Sequence, residues 1–527
     1  MGTDDITGAN LIAGRPSRDG SETFRALHPV TGEQGGTLFH VATDDEVSIA
    51  AQAAYEAYRV TRSWDTERIG ALLDGAAEEL EAFGDRLIAT ANAESGLGEK
   101  RLTGELARTC GQLRMFGAYV RSGRHLDAII DHADASTTPP RPDLRRMKVA
   151  LGPVAVFGAS NFPLAFSVPG GDTASALASG CAVVVKAHPS HPATSELSAR
   201  ALLRAAERVD APEGLISLVH GPGTAVGRAL VLSEPIRAVG FTGSTGGGLA
   251  LHRLAAGRDQ PIPVHAEMGS VNPVIVTPAA ITARADEIAS GFATSVTMGT
   301  GQFCTKPGLL FVPEGSAGDE FVDSLAAIFH ETEPGVLLNA AIQATLDQKV
   351  SETRDHHGVT TLVAPVEVDG ARLRCSPSLL SVGWSTYCNS PDLRDEHFGP
   401  IAIVVRFPFD ELHRVPEVVD GSLTITVQAE EQDIEAMRGL RADLVDRAGR
   451  VLWNGFPTGV AVVAAQHHGG PFPSTTDSRH TSVGARAIER FLRPVTFQDT
   501  PEDLLPAALR ESNPLGIQRL VDGVLRT

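Results

Sequence analysis

From residue 151 onward, short apolar runs alternate with helix-like stretches. This alternation constrains the fold more than any other feature of the sequence. The runs VAVF (154–157) and AVVVK (182–186) lack polar alternation, which is typical of strands buried on both faces. Helices separate them from further runs of the same kind, LISLVH, AVGFTG and IPVHAEMG. The pattern predicts a doubly wound, parallel α/β sheet with a ligand crevice at its strand carboxyl ends.

Charge and cysteine content limit the classes of function. The net charge is -19, from 45 basic and 64 acidic residues, which argues against a nucleic-acid surface. Five cysteines without a C-x-x-C pair argue against a disulfide framework or a zinc site, and they favour a cytoplasmic location. No apolar stretch reaches the roughly 18 residues of a membrane span. The doublets His356–His357 and His467–His468 lack metal-ligand spacing on a helix face, so no metal is expected and both are interpreted as loop histidines.

Three residues stand where a positioned chemical group is expected. Cys304, in GQFCTKPG, lies on a loop between a helical run and the strand-like LLFV, although a small buried hydrophobe is the alternative. Glu267 ends an apolar strand in HAEMGS, where a carboxylate is either solvated or kept as a general base. Asn161, in GASNFPLAF, is either an Asx turn or an amide donor to an oxyanion.

Two glycine clusters are candidate phosphate loops. In FTGSTGGG (241–248), Gly243 ends a strand, Ser244 is placed to contact phosphate, and Gly248 opens a helix whose N-terminus attracts anions. HGPGTAVG (220–227) is a near miss to G-x-G-x-x-G and also fits a simple turn before a helix. The first cluster is therefore the better candidate.

The order of these motifs resembles the aldehyde dehydrogenase superfamily over nearly the whole chain. The matching residues are Asn161, Lys186 at a strand end, Glu267, Cys304, and Glu396 in EHFGP. The segments GQFCTKPG, NGFPTGV, HHGGPFPSTTDSRHTSVG and FLRPVTFQD resemble the branch that contains α-ketoglutaric semialdehyde (2,5-dioxopentanoate) dehydrogenases, with some fatty-aldehyde dehydrogenases nearby. One departure is Ser270, where the superfamily usually has a second glycine, and we expect only local adjustment.

The resemblance implies oxidation of an aldehyde to a carboxylic acid with NAD or NADP. Cys304 would be the nucleophile, and its backbone N–H together with the Asn161 amide would hold the oxyanion. Glu267 would activate the water that releases the acid from a thioester. The branch implies a substrate with a distal carboxylate, such as α-ketoglutaric semialdehyde.

The same resemblance implies how the coenzyme is held. Lys186 would contact the adenosine ribose, Ser244 the pyrophosphate region, and Glu396 the nicotinamide ribose, with Phe398 of the same motif also at the coenzyme. The phosphate loop contributes Gly243 and Gly248.

The turn after Lys186 bears on the choice of coenzyme. NAD-preferring relatives often carry Glu three residues after this lysine, and here the position is Pro189. No carboxylate occurs from Lys186 to Thr194, while His188, Ser190 and His191 offer hydrogen bonds to a phosphate. We expect NADP to be accepted and favoured over NAD, although the turn also fits a simple helix start.

A distal carboxylate requires a cationic or hydrogen-bonding end to the pocket. Arg114 flanks an apolar helix face and is the candidate anchor; the alternative is that it extends to solvent, as does Arg121. Phe162, Phe303 and Phe472 are the expected pocket walls.

The implied fold is α/β and aldehyde dehydrogenase-like, with a doubly wound cofactor domain, an α/β catalytic domain that contains Cys304, and a small oligomerisation arm. The expected ranges are 1–132 and 151–269 for the dinucleotide-binding domain, 133–150 and 488–500 for bridging strands, 270–487 for the catalytic domain, and 501–527 for a C-terminal tail. Bridging strands pair across subunits in the family, so a homodimer or homotetramer is expected.

Other functions stay open at this point. An NADP-dependent fatty or aliphatic aldehyde dehydrogenase fits the same motifs. A CoA-acylating relative typically lacks the carboxylate base, whereas Glu267 is present. A non-catalytic nucleotide-binding protein would not need Cys304, Glu267 and Asn161 together.

Overall fold

The computed structural model describes residues 5–366 and 373–527. The α-helices of these ranges are α1 Asp44–Thr61, α2 Thr66–Ser95, α3 Glu99–Arg121, α4 Gly171–Ala178, α5 Pro192–Arg208, α6 Ala225–Leu232, α7 Thr245–Ala256, α8 Pro278–Thr297, α9 Ser316–Glu331, α10 Ala340–Asp355, α11 Trp384–Asn389 and α12 Ile434–Arg447.

The strands of the same ranges are β1 Asn10–Ile12, β2 Arg15–Ser17, β3 Thr23–Phe24, β4 Phe39–His40, β5 Ile129–Asp131, β6 Leu144–Ala150, β7 Val154–Phe157, β8 Val183–Lys186, β9 Ile216–Val219, β10 Ala238–Thr242, β11 Val264–Glu267, β12 Val274–Val276, β13 Leu309–Pro313, β14 Gly335–Val336, β15 Val359–Val363, β16 Arg374–Cys375, β17 Ser378–Gly383, β18 Ile401–Phe407, β19 Ser422–Gln428, β20 Ala448–Trp453, β21 Leu492–Gln498, β22 Arg519–Val521 and β23 Val524–Arg526.

The first large sheet has the strand order β11-β10-β7-β8-β9-β1-β2. The run from β11 to β9 is parallel, and β1 and β2 extend it antiparallel. All four residues of β7, and likewise of β8, are buried, as expected for strands covered by helices on both faces. Strand order reverses between β7 and β10, so the crevice at the carboxyl ends of these two strands is the natural ligand site. The doubly wound sheet is confirmed.

The second large sheet has the order β15-β17-β18-β13-β12-β19-β20 and is parallel except for the β15–β17 pair. β11 leads through a short loop into β12, so the carboxyl edge of the first sheet is joined to the amino edge of the second. Apolar clusters fill both faces of this sheet, one around Phe311, Tyr387 and Phe407, and one around Phe292 and Phe321.

A third sheet forms the arm, with the order β21-β6-β5-β22-β23. β6 and β21 pair antiparallel along their whole length. The arm is larger than the sequence indicates, because β5 lies in the range expected for the dinucleotide domain, and the expected tail supplies β22 and β23. The tail has no core of its own; it packs Leu505, Leu509 and Val521 against Ile130 and Met147 of the arm.

Three long helices, α1, α2 and α3, precede residue 122. Local signals fix their starts: Thr43 and Glu46 form a capping box at α1, and the Asp65 side chain caps α2. No helix in the described part of the chain is long and apolar enough to cross a membrane.

Candidate active site

The sequence-predicted residues collect where the two large sheets meet. Asn161 follows β7, Lys186 ends β8, Ser244 follows β10 and Glu267 ends β11. Because parallel strands place their carboxyl ends at one edge, these four side chains share that edge. Cys304 reaches it from the other side, on the loop that enters β13 of the second sheet.

A distorted turn presents Cys304. α8 ends at Thr297, and Gly299, Thr300 and Gly301 then all adopt positive φ. A Cβ atom at Gly301 would lie 2.1 Å from the Gly399 carbonyl oxygen, so glycine is required for the turn to approach the EHFGP loop. The Cys304 residue is partly exposed, whereas its neighbour Thr305 is buried.

Asn272 fixes the backbone of the same loop. Its side-chain amide donates to the carbonyl oxygens of Cys304 at 2.8 Å and of Lys306 at 3.0 Å. Ser270 hydrogen-bonds to the Asn272 side-chain oxygen at 2.9 Å and accepts from the Leu423 backbone N–H at 2.9 Å. The serine that departs from the superfamily pattern is therefore part of the support beneath Cys304.

Glu267, Cys304 and His468 form a compact cluster, with their ligating atoms within 4.8 Å of one another. His468 Nε2 lies 3.5 Å from Cys304 Sγ. The same nitrogen is 2.9 Å from Glu267 Oε1, close enough for an ion pair but without hydrogen-bond alignment. Ser482 Oγ donates to the other Glu267 oxygen. The sequence context of His468 indicates a loop histidine, and the structure places it in this cluster instead.

Within this cluster, the pKa of Cys304 is raised and the pKa of Glu267 is lowered. Burial, reinforced by the Glu267 carboxylate, raises the pKa of the Cys304 thiol well above its ordinary value. Burial opposes ionisation of Glu267 too, but His468, together with the Ser482 hydroxyl, holds the pKa of Glu267 below its ordinary value. The thiol therefore starts protonated beside an ionised carboxylate.

Asn161 is buried next to the Cys304 loop. Its side-chain amide donates to the Gln302 carbonyl oxygen at 3.0 Å, and its own carbonyl oxygen accepts from Arg101 at 2.6 Å. These contacts hold the amide at the base of the loop that carries the thiol.

The part of the carboxyl edge formed by Lys186 at the end of β8 and by the turn between β10 and α7, called the nucleotide edge below, has the features of an anion site. Ser244 is the N-cap of α7 and accepts from the Gly247 N–H at 3.2 Å, and Gly243 and Ser244 are exposed. A Cβ atom at Gly246 would meet nothing within 4 Å, which leaves open space over the helix N-terminus. At Gly248 it would lie 2.6 Å from Met268 Sδ, so glycine lets α7 pack against the sheet.

Lys186 is buried at the end of β8, and burial lowers the pKa of its amine to about 8. Within the described residues no carboxylate pairs with it. The Ser190 hydroxyl accepts from the Asn339 amide at 3.0 Å, and His191 Nε2 lies 2.8 Å from the Ala159 carbonyl oxygen. Lys186 is thus the cation available at this position.

Glu396 lies against Gly269, where an added Cβ would be 2.3 Å from Glu396 Oε2. Burial raises the pKa of Glu396, with the buried Lys306 amine opposing the shift. Lys306 Nζ donates to the Ile401 carbonyl oxygen at 2.9 Å. Phe398, on the same EHFGP loop, is half-buried.

Comparisons with known proteins agree with this geometry. The profile of the aldehyde dehydrogenase family matches residues 16–496. The chain belongs to this family.

The sequence relatives are similar over almost their full length. The chain is 47% identical to alpha-ketoglutaric semialdehyde dehydrogenase 2 of Azospirillum brasilense, covering 98% of this chain and 99% of the relative. It is 44% identical to alpha-ketoglutaric semialdehyde dehydrogenase of Acinetobacter baylyi, covering 98% of each. Among solved structures, 3,6-anhydro-L-galactose dehydrogenase in complex with NAP shares the fold, with a TM-score of 0.79 at 23% identity over 93% of this chain and 99% of that one.

This protein is therefore an aldehyde dehydrogenase, an oxidoreductase that converts an aldehyde to a carboxylic acid with a nicotinamide coenzyme.

The aromatic residues of the aldehyde dehydrogenase separate into two groups. Phe162 and Phe303 meet edge to face at 5.2 Å beside Asn161 and Cys304, and Phe166 joins them at 5.3 Å from Phe162. Phe472 is 65% exposed, and no ring contact among the described residues links it to this group. The structure therefore supports two of the three expected walls with contacts and leaves Phe472 at the surface.

Arg114 is not at the site, and its assignment as the substrate anchor is wrong. Its guanidinium forms a bidentate ion pair with Glu81 of α2, with Nη1–Oε1 and Nη2–Oε2 distances of 2.6 and 2.7 Å. The Arg114 side chain is 44% exposed. The helix turns Arg101 and Arg108 toward the site instead. Arg101 lies over the rings of Phe162 and Phe303, and Arg108 over Phe166. The signal in the sequence is a polar stripe at helical spacing, Arg101, Glu105, Arg108 and Gln112.

Among residues 5–366 and 373–527, two side-chain clusters have donor atoms close enough together to hold a metal ion. One is the Glu267–Cys304–His468 cluster itself, and the other is His265, Asp477 and His480 behind β11. In the second cluster Asp477 is already paired with Arg479 at 2.7 Å and with His480 at 3.1 Å.

Proposed function

We propose that the enzyme oxidises α-ketoglutaric semialdehyde to 2-oxoglutarate. The observation that carries this proposal is the 47% and 44% identity, over 98% of the chain, to two dehydrogenases named for that substrate. Two partly buried arginines support it, Arg101 over Phe162 and Phe303 and Arg108 over Phe166, because the substrate carries a carboxylate at the end opposite its aldehyde.

Cys304 is the nucleophile in the proposed mechanism. As Sγ approaches the aldehyde carbon, its proton moves to the ionised Glu267 carboxylate beside it, and Glu267 passes this proton to solvent before it acts again. A C–S bond forms, and the carbonyl electrons move onto oxygen. The Asn161 amide and the Cys304 N–H donate to this oxyanion, which requires the amide to leave the Gln302 carbonyl.

The chemistry that NAD or NADP supplies when bound is acceptance of a hydride from the substrate carbon. Loss of that hydride leaves a thioester on Cys304. Glu267 then takes a proton from water, whose oxygen attacks the thioester and releases the acid and the thiolate. Both phases use the same carboxylate because it remains ionised although buried.

A substrate panel tests this function. The purified enzyme is assayed with α-ketoglutaric semialdehyde, succinic semialdehyde and the uncharged pentanal and decanal, with both coenzymes and without CoA. We expect the highest kcat/KM with α-ketoglutaric semialdehyde and acid as the product. Preference for decanal would instead support a fatty-aldehyde dehydrogenase, and a CoA requirement would support an acylating enzyme.

We further propose that NADP is favoured over NAD. The residues at the nucleotide edge fit a dinucleotide: an unpaired Lys186 amine, a helix N-terminus at Ser244 and open space above Gly246. No acidic side chain follows Lys186 within the helix-start turn, and Pro189 stands where a carboxylate would reject a 2′-phosphate.

The coenzyme prediction is tested by kcat/KM for NADP and NAD at saturating aldehyde. We expect a higher value for NADP, and Pro189→Glu should reverse the order because the carboxylate repels phosphate and accepts from the ribose hydroxyl. A tenfold preference of the unmodified enzyme for NAD, about 1.4 kcal/mol, would contradict the prediction.

A further inference from the structure

The face of α3 that points to the active site is polar and incompletely bonded. Each residue of its stripe has one buried polar atom without a hydrogen-bond partner among the described residues; these atoms are Arg101 Nη1, Glu105 Oε2, Arg108 Nη1 and Gln112 Oε1. Leaving a buried polar atom unpaired is costly, and the cost is greater when the group is charged. Four such atoms on one helix face indicate polar groups that need partners from outside the protein.

The charges on this face do not balance. Arg101 and Arg108 face one carboxylate, Glu105, whose Oε1 accepts the backbone N–H groups of Leu164 and Ala165 at 2.8 and 2.9 Å. The three groups together carry one net positive charge on this face of α3, and Glu267, at the thiol, is the other carboxylate that acts on Arg108. An anionic ligand would satisfy both this charge and one of the two unpaired guanidinium nitrogens, Arg101 Nη1 and Arg108 Nη1.

Among the described arginines near Cys304, Arg108 is the one that donates no hydrogen bond to the protein, and it is therefore the most available for a substrate. Arg101 already donates to the Asn161 carbonyl oxygen at 2.6 Å. Arg450, on β20, uses both of its terminal nitrogens on the Pro457 and Gly459 carbonyl oxygens. Arg108 lies 5.1 Å over the Phe166 ring, and that ring is 6.2 Å from the His468 ring, which contacts Cys304.

We propose that Arg108 is the residue that selects the substrate by binding its distal carboxylate. This inference rests on the proposed function. The aldehyde end of the substrate meets Cys304, the chain runs along Phe166, and the carboxylate forms charge-assisted hydrogen bonds with the Arg108 guanidinium. Glu105 is a positioning residue, which orients the arginine without touching the ligand.

The test compares specificity in Arg108→Gln, Arg108→Lys and a matched control, Arg114→Gln, whose arginine lies on the same helix but pairs with Glu81. The measured quantity is the ratio of kcat/KM for α-ketoglutaric semialdehyde to that for pentanal. We expect Arg108→Gln to lower the ratio tenfold to a hundredfold, because a charge-assisted hydrogen bond is lost. Arg108→Lys should keep part of the ratio, and Arg114→Gln should change it less than threefold.

A binding measurement gives a second readout without turnover. Calorimetry with 2-oxoglutarate should detect binding to Cys304→Ala and at least tenfold weaker binding to Cys304→Ala/Arg108→Gln.

An Arg108→Gln enzyme that keeps the specificity ratio, or that loses activity toward both aldehydes by the same factor, overturns the assignment of Arg108 alone. An unmodified enzyme that prefers pentanal overturns both the assignment and the proposed substrate.

Discussion

At the scale of single residues, the environment of Cys304 makes its chemistry testable. Cys304→Ala should abolish aldehyde oxidation, because no other thiol among the described residues lies beside Glu267 and His468. Coenzyme binding, followed by fluorescence titration, should stay within about threefold of the unmodified enzyme, since the nucleotide edge is built from other residues. Turnover by the alanine variant above one per cent of the original rate would contradict the mechanism.

The Glu267 carboxylate should also control the reactivity of the thiol. It is one of the groups that raise the pKa of Cys304, so Glu267→Gln should lower that pKa and increase the thiolate fraction at a given pH. Iodoacetamide alkylates the thiolate, and the pH profile of its rate at Cys304, followed by mass spectrometry, should shift to lower pH. Glu81→Gln, on the surface of α2, is the control and should not move the profile. A shift to higher pH would contradict the electrostatic account.

Some of these site residues could be predicted from the sequence and others could not. Cys304, Glu267 and Asn161 could be predicted because each follows or precedes a recognisable strand, and the structure brings all three to one place. His468 could not, because it lies on a long irregular segment whose path is set by tertiary contacts such as the Glu267–Thr475 bridge. Arg114 was chosen over Arg108 because apolar spacing fixes the buried face of α3 but not which polar flank meets the site.

At the scale of elements, the loop between β11 and β12 couples the two sheets. Gly269→Ala would place a methyl group 2.3 Å from Glu396 Oε2, so the carboxylate must move. If Glu396 holds the nicotinamide ribose, the KM for coenzyme should rise about tenfold through loss of a charge-assisted hydrogen bond, while iodoacetamide labelling of Cys304 changes little.

Gly84→Ala, in α2, is the matched control for that variant. A Cβ at Gly84 meets nothing within 4 Å, so this change should leave the KM for coenzyme unaltered and raise the stability by roughly 0.5–1 kcal/mol. An unchanged KM in Gly269→Ala would remove Glu396 from the coenzyme site.

Elements with a clear period could be predicted and those without could not. The strands β7 to β11 stand where the sequence places them, because burial on both faces leaves a direct apolar pattern. The short strands β5, β22 and β23 are three residues each, too short for a pattern, and pairing within the arm defines them.

At the scale of the whole molecule, the arm sheet ends at β21, whose outer edge is free to pair with a strand of another chain. β21 is the outer strand of the arm sheet. Pro494 of β21 has no backbone N–H group, which the sheet tolerates because the backbone nitrogen at this position points away from β6. Along a strand, the backbone N–H groups of successive residues point alternately toward and away from the neighbouring strand. The N–H group of Thr496, two residues after Pro494, therefore points away from β6. An outward row of unpaired backbone groups is a template for pairing with another chain.

We therefore predict a homodimer or homotetramer that depends on the β21 edge. Light scattering after gel filtration at micromolar concentration should give two or four times the 55.4 kDa chain mass. Thr496→Pro removes one outward N–H without breaking the β21–β6 ladder, so it should shift the mass toward the monomer while the circular dichroism spectrum stays unchanged. A monomeric unmodified enzyme would refute the assembly, and an oligomer untouched by Thr496→Pro would move the interface to another surface, because only pairing through this edge needs that N–H group.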